Sequence, residues 1–410
     1  MYEYALRGFT AKLTPEQLIL VKNHPLVEYV EQDFMFKGYE SEIVVFEKKI
    51  LQSQSIPWGI TRVGGAQSGI GKKAWIIDGG VDLDHPDLNV DLDNSVSYVA
   101  TESADDLDGH GTHVAGILAA KDNGIGVVGV AAGATVVSVK VLDQNGNGTI
   151  SDAIDGVNYV AGKASNSDVI NMSLSSGVST SFDNSVINAA NSGKRFVLAA
   201  GNQTMSANNR SPARVEHPNV WTISGYDIND NWYVNSNFGN PPIEYGGPGV
   251  GILSLDKNGG TTTKNGTSMA APHIAGLLLT VPNNISIDGN VSGDPDGNAD
   301  GIAAYLPFSA TVTGPSFVNH GDSNTWTAVP ENGSGGYSYQ WYYKDDLSDP
   351  WTSTGTNSST YSHTFFNNSG AIKSVGIRVD ITSGGETETG TIFPTVSPGG
   401  EGCGPHVVLC

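Results

Sequence analysis

Three short segments carry side chains suited to acyl transfer: Ile76-Ile77-Asp78-Gly79-Gly80, Asp108-Gly109-His110-Gly111-Thr112-His113 and Asn265-Gly266-Thr267-Ser268-Met269-Ala270-Ala271-Pro272. In that order they offer a carboxylate, an imidazole and a hydroxyl. A hydroxyl attacks a carbonyl carbon when a base takes its proton and an acid orients that base. Glycine beside each group lets the chain turn tightly and lets a substrate backbone come close. Taken singly, an Asp at a strand end is a turn residue and a Ser at a helix start is an N-cap. Three such residues in order, in long matching surroundings, point instead to one site.

The local patterns say how these groups are carried. Ala74-Trp75-Ile76-Ile77 is an apolar run stopping at Asp78, which predicts a buried parallel strand with the acid at its carboxyl end. His110 opens a segment whose apolar spacing predicts a buried helix, with His113 on it. A zinc pair is the rival reading, but the His-Glu-X-X-His spacing is missing. Ser268 begins a second helix, Met269 to Leu279, with Pro272 expected inside its first turn.

These motifs resemble the subtilisin-like serine proteases (subtilases) from about Gln54 to about Tyr305. The order Asp, His, Ser is the subtilisin order. The resemblance implies an α/β fold, a parallel sheet flanked by helices, and a secreted serine endopeptidase made as a self-processing zymogen. It makes Asp78 the orienting acid, His110 the general base and Ser268 the nucleophile. Leu198-Ala199-Ala200-Gly201-Asn202 matches the oxyanion strand, with Asn202 donating its side-chain amide beside the Ser268 N–H. One departure is visible: the family has Ser or Thr after the acid, where this chain has Gly79. The rival reading, a surface or matrix-binding protein on an inactive subtilase fold, rests on that glycine and on a short propeptide.

The same resemblance implies a calcium site from Gln54, Asp87 and the loop residues Lys121, Asn123, Ile125 and Val127, all supplying oxygen. Peptides would bind by strand addition against Ser173-Leu174-Ser175 and the stretch around Asp143-Gln144-Asn145-Gly146. Ala199, Ala200 and Gly201 would wall a roomy apolar pocket, with Arg210 and Arg214 in a nearby loop. Asp294-Pro295-Asp296-Gly297-Asn298-Ala299-Asp300-Gly301 reads equally as a second calcium loop or a plain acidic turn.

Residues 1–37 resemble part of an inhibitory propeptide, a small α+β module whose first strand and helix would precede Met1, as would a secretion signal. A strand is expected over Tyr4–Leu13, a helix capped by Thr14 with Pro15 at its first position, and a strand over Val27–Glu31. Residues 38–52 read as an irregular processing linker and 53–306 as the catalytic domain. In 307–396, alternating runs such as Thr325–Val329, Tyr337–Tyr343 and Val375–Ile381 predict an all-β, immunoglobulin-like sandwich with Trp341 in its core. Trp351 and the tyrosines offer a second role, contact with glycans or matrix. Residues 397–410 read as a flexible tail holding both cysteines, Cys403 and Cys410, whose pairing is left open.

The 410 residues carry a net charge of −21 with only 15% charged residues, which argues against nucleic acid as a partner. No apolar run approaches membrane-span length. Asn-X-Ser/Thr triplets at Asn202 and Asn265 would crowd the site if glycosylated, which favours a bacterial source.

Overall fold

A computed structural model describes residues 1–39, 43–49, 53–333 and 336–399. The chain divides into two compact units, Met1–Tyr305 and Leu306–Cys410.

The first unit is built on a ten-stranded sheet. Its parallel centre runs, in spatial order, Ile243–Pro248, Val220–Tyr226, Arg195–Ala199, Val169–Met172, Lys73–Asp78 and Thr135–Lys140. From Lys73–Asp78 the chain passes to its neighbour on one side, then returns to Val169–Met172 on the other. Open α/β sheets place their sites outside the carboxyl ends of strands at such a reversal. Asp78 ends the strand there.

Both faces of that strand are covered, which is why it reads as an unbroken apolar run. Ala74 and Ile76 face a core shared with the helices His110–Ala119 and Thr267–Thr280, through Val114, Leu118, Met269 and Ile274. Trp75 and Ile77 face the opposite core, with Ile154 and Val157 of Ile150–Lys163 and Phe182 and Val186 of Thr180–Asn191. The buried Trp75 indole donates to Asp168 Oδ2 at 2.9 Å, so its polar edge is satisfied.

The helix carrying Ser268 starts at Thr267, two residues before the expected Met269. Pro272 therefore lies in the second turn, not the first. Proline has no N–H, so the Ser268 carbonyl four residues back loses its helical partner. Ser173 Oγ donates to that carbonyl at 2.8 Å instead, tying the helix to the Val169–Met172 strand's exit.

The N-terminal segment matches expectation only in its helix. Pro15–Lys22 has a full capping box: Gln17 N–H donates to Thr14 Oγ1 at 3.3 Å, and Thr14 N–H to Gln17 Oε1 at 2.9 Å. Neither Tyr4–Leu13 nor Val27–Glu31 is a strand. Alternation makes a strand only where a neighbour completes the ladder, and none adjoins these stretches among the described residues. The backbone N–H groups of Glu3, Tyr4 and Ala5 converge instead on Asn158 Oδ1, at 3.0, 2.8 and 3.1 Å. Strands form further along: Met35–Lys37 pairs antiparallel with Asn147–Thr149, and Ile43–Lys49 pairs with Thr261–Lys264. The latter lies within the stretch expected to be irregular.

Two acidic side chains fasten this segment. Glu31 accepts from the N–H and hydroxyl of Ser181, both at 2.7 Å, at the start of Thr180–Asn191. Asp33 accepts from the N–H and hydroxyl of Ser151, at 3.0 and 2.7 Å, at the start of Ile150–Lys163. Carboxylates are favoured at helix N-termini, where unpaired N–H groups carry partial positive charge.

The second unit holds two three-stranded sheets and one four-stranded sheet. The expected strands lie within or across Ser323–Glu331, Ser338–Lys344 and Gly376–Ser383. Trp326, Trp341, Ile377, Val379 and Ile381 form one core, and Trp341 Nε1 donates to the Ser358 carbonyl at 2.7 Å. Cys403, Cys410 and the tail from Gly400 lie outside the described residues. Among the described residues no helix is long and apolar enough to cross a membrane.

Replacing Glu31 by Gln and Asp33 by Asn should weaken docking by about 1 kcal/mol each, since a neutral amide keeps one acceptor but loses the charge. Amide hydrogen exchange over residues 1–39 should quicken; unchanged protection would refute the fastening role.

Candidate active site

Asp78 and His110 meet where the strand ends and the helix begins. His110 Nδ1 lies 2.8 Å from Asp78 Oδ1 and 3.0 Å from Oδ2, and both side chains are fully buried. Such geometry fixes Nδ1 as the protonated nitrogen and leaves Nε2 as the basic one. The Gly79 N–H also donates to Asp78 Oδ1, at 2.6 Å.

The helix start is pinned without a side-chain cap of its own. Gly109, at φ 99°, precedes it in a left-handed conformation that glycine alone adopts freely. Asp106 supplies the missing acceptor: it takes Gly109 N–H at 2.7 Å, Thr112 N–H at 2.8 Å and the Thr112 hydroxyl at 2.6 Å. Burial raises the Asp106 pKa, and these hydrogen bonds work against the rise. Gly111 lets the helix settle onto the loop after the acid; a Cβ there would fall 2.0 Å from the Gly80 carbonyl oxygen.

Ser268 is buried at the start of the Thr267–Thr280 helix, and its hydroxyl donates to the Ser173 carbonyl at 3.2 Å. His110 Nε2 is buried with no hydrogen-bond partner among the described residues. Asn202 Oδ1 accepts from the Thr267 N–H at 2.9 Å and its hydroxyl at 3.1 Å. Its amide nitrogen is thereby turned towards Gly266, where a Cβ would sit 3.2 Å from it. Tyr39 links these groups: its ring lies against His110, and it lines one cleft with Asn202 and Ser268.

The chain's own N-terminal segment crosses this locality. The Tyr39 ring stacks on His110, with centroids 3.6 Å apart and planes 6° off parallel, and its hydroxyl donates to Asp108 Oδ2 at 2.5 Å. Gly38 N–H donates to the Gly146 carbonyl at 2.8 Å, and Ser175 N–H to the Gly38 carbonyl at 2.7 Å. The segment is therefore held on both sides as an added strand. Its ladder uses Gly146–Thr149, further along than the expected Asp143–Gly146. Asp143 is occupied in closing its own turn, accepting Asn145 N–H at 2.8 Å and Asn147 N–H at 2.9 Å.

Leu174, Ser175, Ala199 and Gly201 line the cleft with Asn202 and Ser268. Ala200 does not: it packs with Ala207, Ala213 and Ile243 behind the wall. Arg210 Nη2 reaches the Ser175 carbonyl at 3.4 Å, while Arg214 pairs with Asp183 at 2.9 Å.

The loop Lys121–Val127 gathers the remaining expected residues. Gln54 Oε1 accepts Gly124 N–H at 2.7 Å and its amide donates to the Lys121 carbonyl at 3.3 Å. Buried Asp87 receives Asn123 Nδ2 at 2.9 Å and Val127 N–H at 3.2 Å, and burial pushes its pKa up to about 6. In the acidic turn, Asp294 and Asp296 accept backbone N–H groups of that turn, and Asp300 accepts the Ser224 hydroxyl at 2.5 Å. The first two close the turn, and the third ties it to Val220–Tyr226. His113 Nε2 lies 3.1 Å from the Ile252 carbonyl and 3.2 Å from that of Thr262, a buried core contact.

Sequence reading missed Tyr39, which fell in the linker, and Asp106, which lay four residues before the base without a motif to mark it. It also missed Lys140, whose single charge inside Val136–Leu142 is the one signal that was there.

A buried acid–base pair at a sheet reversal, with a serine and an amide in the cleft that Tyr39 lines, carries the groups a serine hydrolase uses. The Subtilase family profile matches residues 71–286 and the Peptidase inhibitor I9 profile residues 1–37. Alkaline serine protease ver112 of Corniculantispora psalliotae is 35% identical over 293 residues, covering 68% of this chain and 72% of that protein. Alkaline serine exoprotease A of Vibrio alginolyticus is 36% identical over 289 residues, covering 68% of this chain and 52% of that protein. A solved cold adapted subtilisin-like serine proteinase superposes with a TM-score of 0.52 at 34% identity, covering 61% of this chain and 98% of that one. The chain belongs to the subtilase family and is a subtilisin-like serine endopeptidase with an I9 inhibitor segment. Its relatives are largely fungal, with bacterial ones from Vibrio and Halalkalibacterium among them, so they do not show a bacterial source.

Gly111→Ala should force the His110 helix off the Gly80 carbonyl, costing about 1–3 kcal/mol of stability and lowering kcat. Thermal unfolding with peptide-anilide kinetics checks this; wild-type values in both would contradict the close-approach argument.

Proposed function

We propose that this chain is a secreted zymogen that hydrolyses peptide bonds through an acyl-enzyme on Ser268. His110 Nε2 takes the Ser268 proton during attack and returns it to the leaving amine. Asp78 holds the ring and stabilises the imidazolium. Asn202 and the Ser268 N–H stabilise the oxyanion. The grip of His110 on both Asp78 oxygens is the observation that carries the reading. The strand held between Gly146–Thr149 and Ser175 suggests how a substrate lies, one backbone ladder on each side.

In the uncut chain the cleft is filled and the nucleophile is parked. Activation requires the Tyr39 ring to leave the imidazole and the Ser268 hydroxyl to turn from the Ser173 carbonyl to Nε2. Cutting the chain beyond Tyr39 would begin that release, so the first substrate is the chain itself. The inactive-scaffold reading loses its main support, because the Gly79 N–H gives Asp78 a hydrogen bond where a Ser or Thr side chain is missing.

Calcium fits the Gln54–Asp87 locality. One carboxylate, two amide oxygens and the carbonyls of Lys121, Ile125 and Val127 make six oxygen donors, within the range Ca²⁺ takes. The buried Asp87 carboxylate receives neutral donors there, so a cation would compensate its charge. Calcium would fasten the start of the mature enzyme to the loop. The second unit, with Trp341 at the centre of its core, suits an immunoglobulin-like module. Exposed aromatics such as Phe393 beside Trp351 suit matrix or glycan contact.

Ser268→Ala should leave the chain at full length; intact-mass analysis showing a mature-length product from that variant would sink the self-processing claim. Chelating calcium should lower the thermal midpoint by several degrees, as expected for loss of roughly 2–3 kcal/mol of linked binding. Asp87→Asn should abolish that sensitivity. A midpoint indifferent to chelator in the parent chain removes calcium from the account.

A further inference from the structure

Gly79 follows the acid where the family resemblance implies a Ser or Thr, and the structure shows what surrounds it. The residue does not have positive φ, and a Cβ on it would meet no atom closer than Tyr39 Oη at 3.5 Å. A side chain is therefore permitted, yet none is present. A glycine in this position is free to swing, and its N–H is a donor to Asp78 Oδ1.

The peptide unit that follows the glycine is held by Lys140. Its ammonium donates to the Gly79 carbonyl, and Lys140 is the register partner of Asp78 on the adjoining parallel strand. The Lys140 side chain is fully buried, a costly position for an ammonium unless it is paired. Glu102 provides the pair at 3.0 Å and is itself fixed by the Gln144 N–H, which donates to Oε1 at 3.2 Å. On the near side, Val141 and Leu142 N–H groups hold the Asp78 carbonyl at 2.9 and 3.3 Å. The backbone is thus gripped before and after the glycine.

We propose that Lys140, neutralised by Glu102, is a positioning residue for the Asp78–His110 pair: by holding the Gly79 carbonyl, in the peptide unit after the glycine, it stops Gly79 from rotating against the Asp78–Gly79 unit that Val141 and Leu142 hold, and so keeps the Gly79 N–H on Asp78 Oδ1. This rests on the reading of Asp78 and His110 as acid and base. A buried ion pair that served stability alone would end on any carbonyl and would show no dependence on residue 79.

The test compares whole-chain variants after activation, as kcat and KM on a chromogenic peptide per mole of folded enzyme. Glu102→Gln with Lys140→Met removes both charges together, so neither is left buried alone. We expect kcat to fall by about tenfold or more while KM stays within about twofold, because substrate contacts are untouched. Adding Gly79→Ser should restore most of the lost kcat. Lys140→Arg keeps the ion pair and safeguards folding, and should show the same kcat-only loss and the same rescue. A kcat within twofold of the parent in a folded variant, or a loss that Gly79→Ser does not mend, overturns the proposal. Asp78→Asn is run alongside: if it stays active, the acid–base reading itself fails. If it is inactive while the Lys140 variants match the parent, only the positioning role fails.

Discussion

The bond between His110 Nδ1 and the Asp78 carboxylate is the contact on which the rest of the first unit turns. It is fully buried, so little solvent screens it, and it holds the imidazole as one tautomer. Forming it demands that a strand end and a helix start arrive within hydrogen-bond distance from opposite directions. The sheet reversal at Lys73–Asp78 provides the first. The Asp106 carboxylate, gripping Gly109 and Thr112, provides the second. Gly111 then removes the one Cβ that would keep the two apart. The glycines around the triad serve approach as much as turning.

The nucleophile's position follows from a different local defect. Pro272 cancels a helical hydrogen bond, and the freed Ser268 carbonyl is taken by Ser173 Oγ. Ser268 in turn donates its hydroxyl to the Ser173 carbonyl. This reciprocal pair couples the serine helix to the edge on which peptides are laid. With the Tyr39 ring stacked over the imidazole, that arrangement is an idle state: the base is covered and the hydroxyl is engaged with the Ser173 carbonyl. Fastening of the N-terminal segment at two helix starts, through Glu31 and Asp33, keeps Tyr39 in place by charge as well as by packing.

Much of the catalytic frame was legible because it is written in local patterns. An apolar run ending in Asp78 can only be a two-face-buried strand, and His110 opens a helix whose apolar spacing is unbroken. The Thr14–Pro15–Gln17 cap marked its helix because capping is decided within four residues. What escaped reading depended on partners far away. Tyr4–Leu13 and Val27–Glu31 alternate as strands do, yet no neighbouring strand completes them. Pro272 looked like a first-turn proline because the helix start was set by Thr267, whose N–H and hydroxyl serve Asn202. Ala200 sits between two wall residues but faces the other way, a consequence of strand alternation at the sheet end. Tyr39 lay beyond any motif; only the cleft gives it meaning. The weak point read at Gly79 dissolves for the same reason, since its support comes from Lys140, some sixty positions along the chain.

The activity proposed for this chain requires Ser268 to be the group that the buried pair makes nucleophilic. Treating the activated chain with a fluorophosphonate and mapping the adduct by peptide mass spectrometry tests it directly. One adduct on the peptide carrying Ser268, lost when the active-site histidine is replaced, is the predicted result. A chain that stays unlabelled, or a label on another serine, would contradict it.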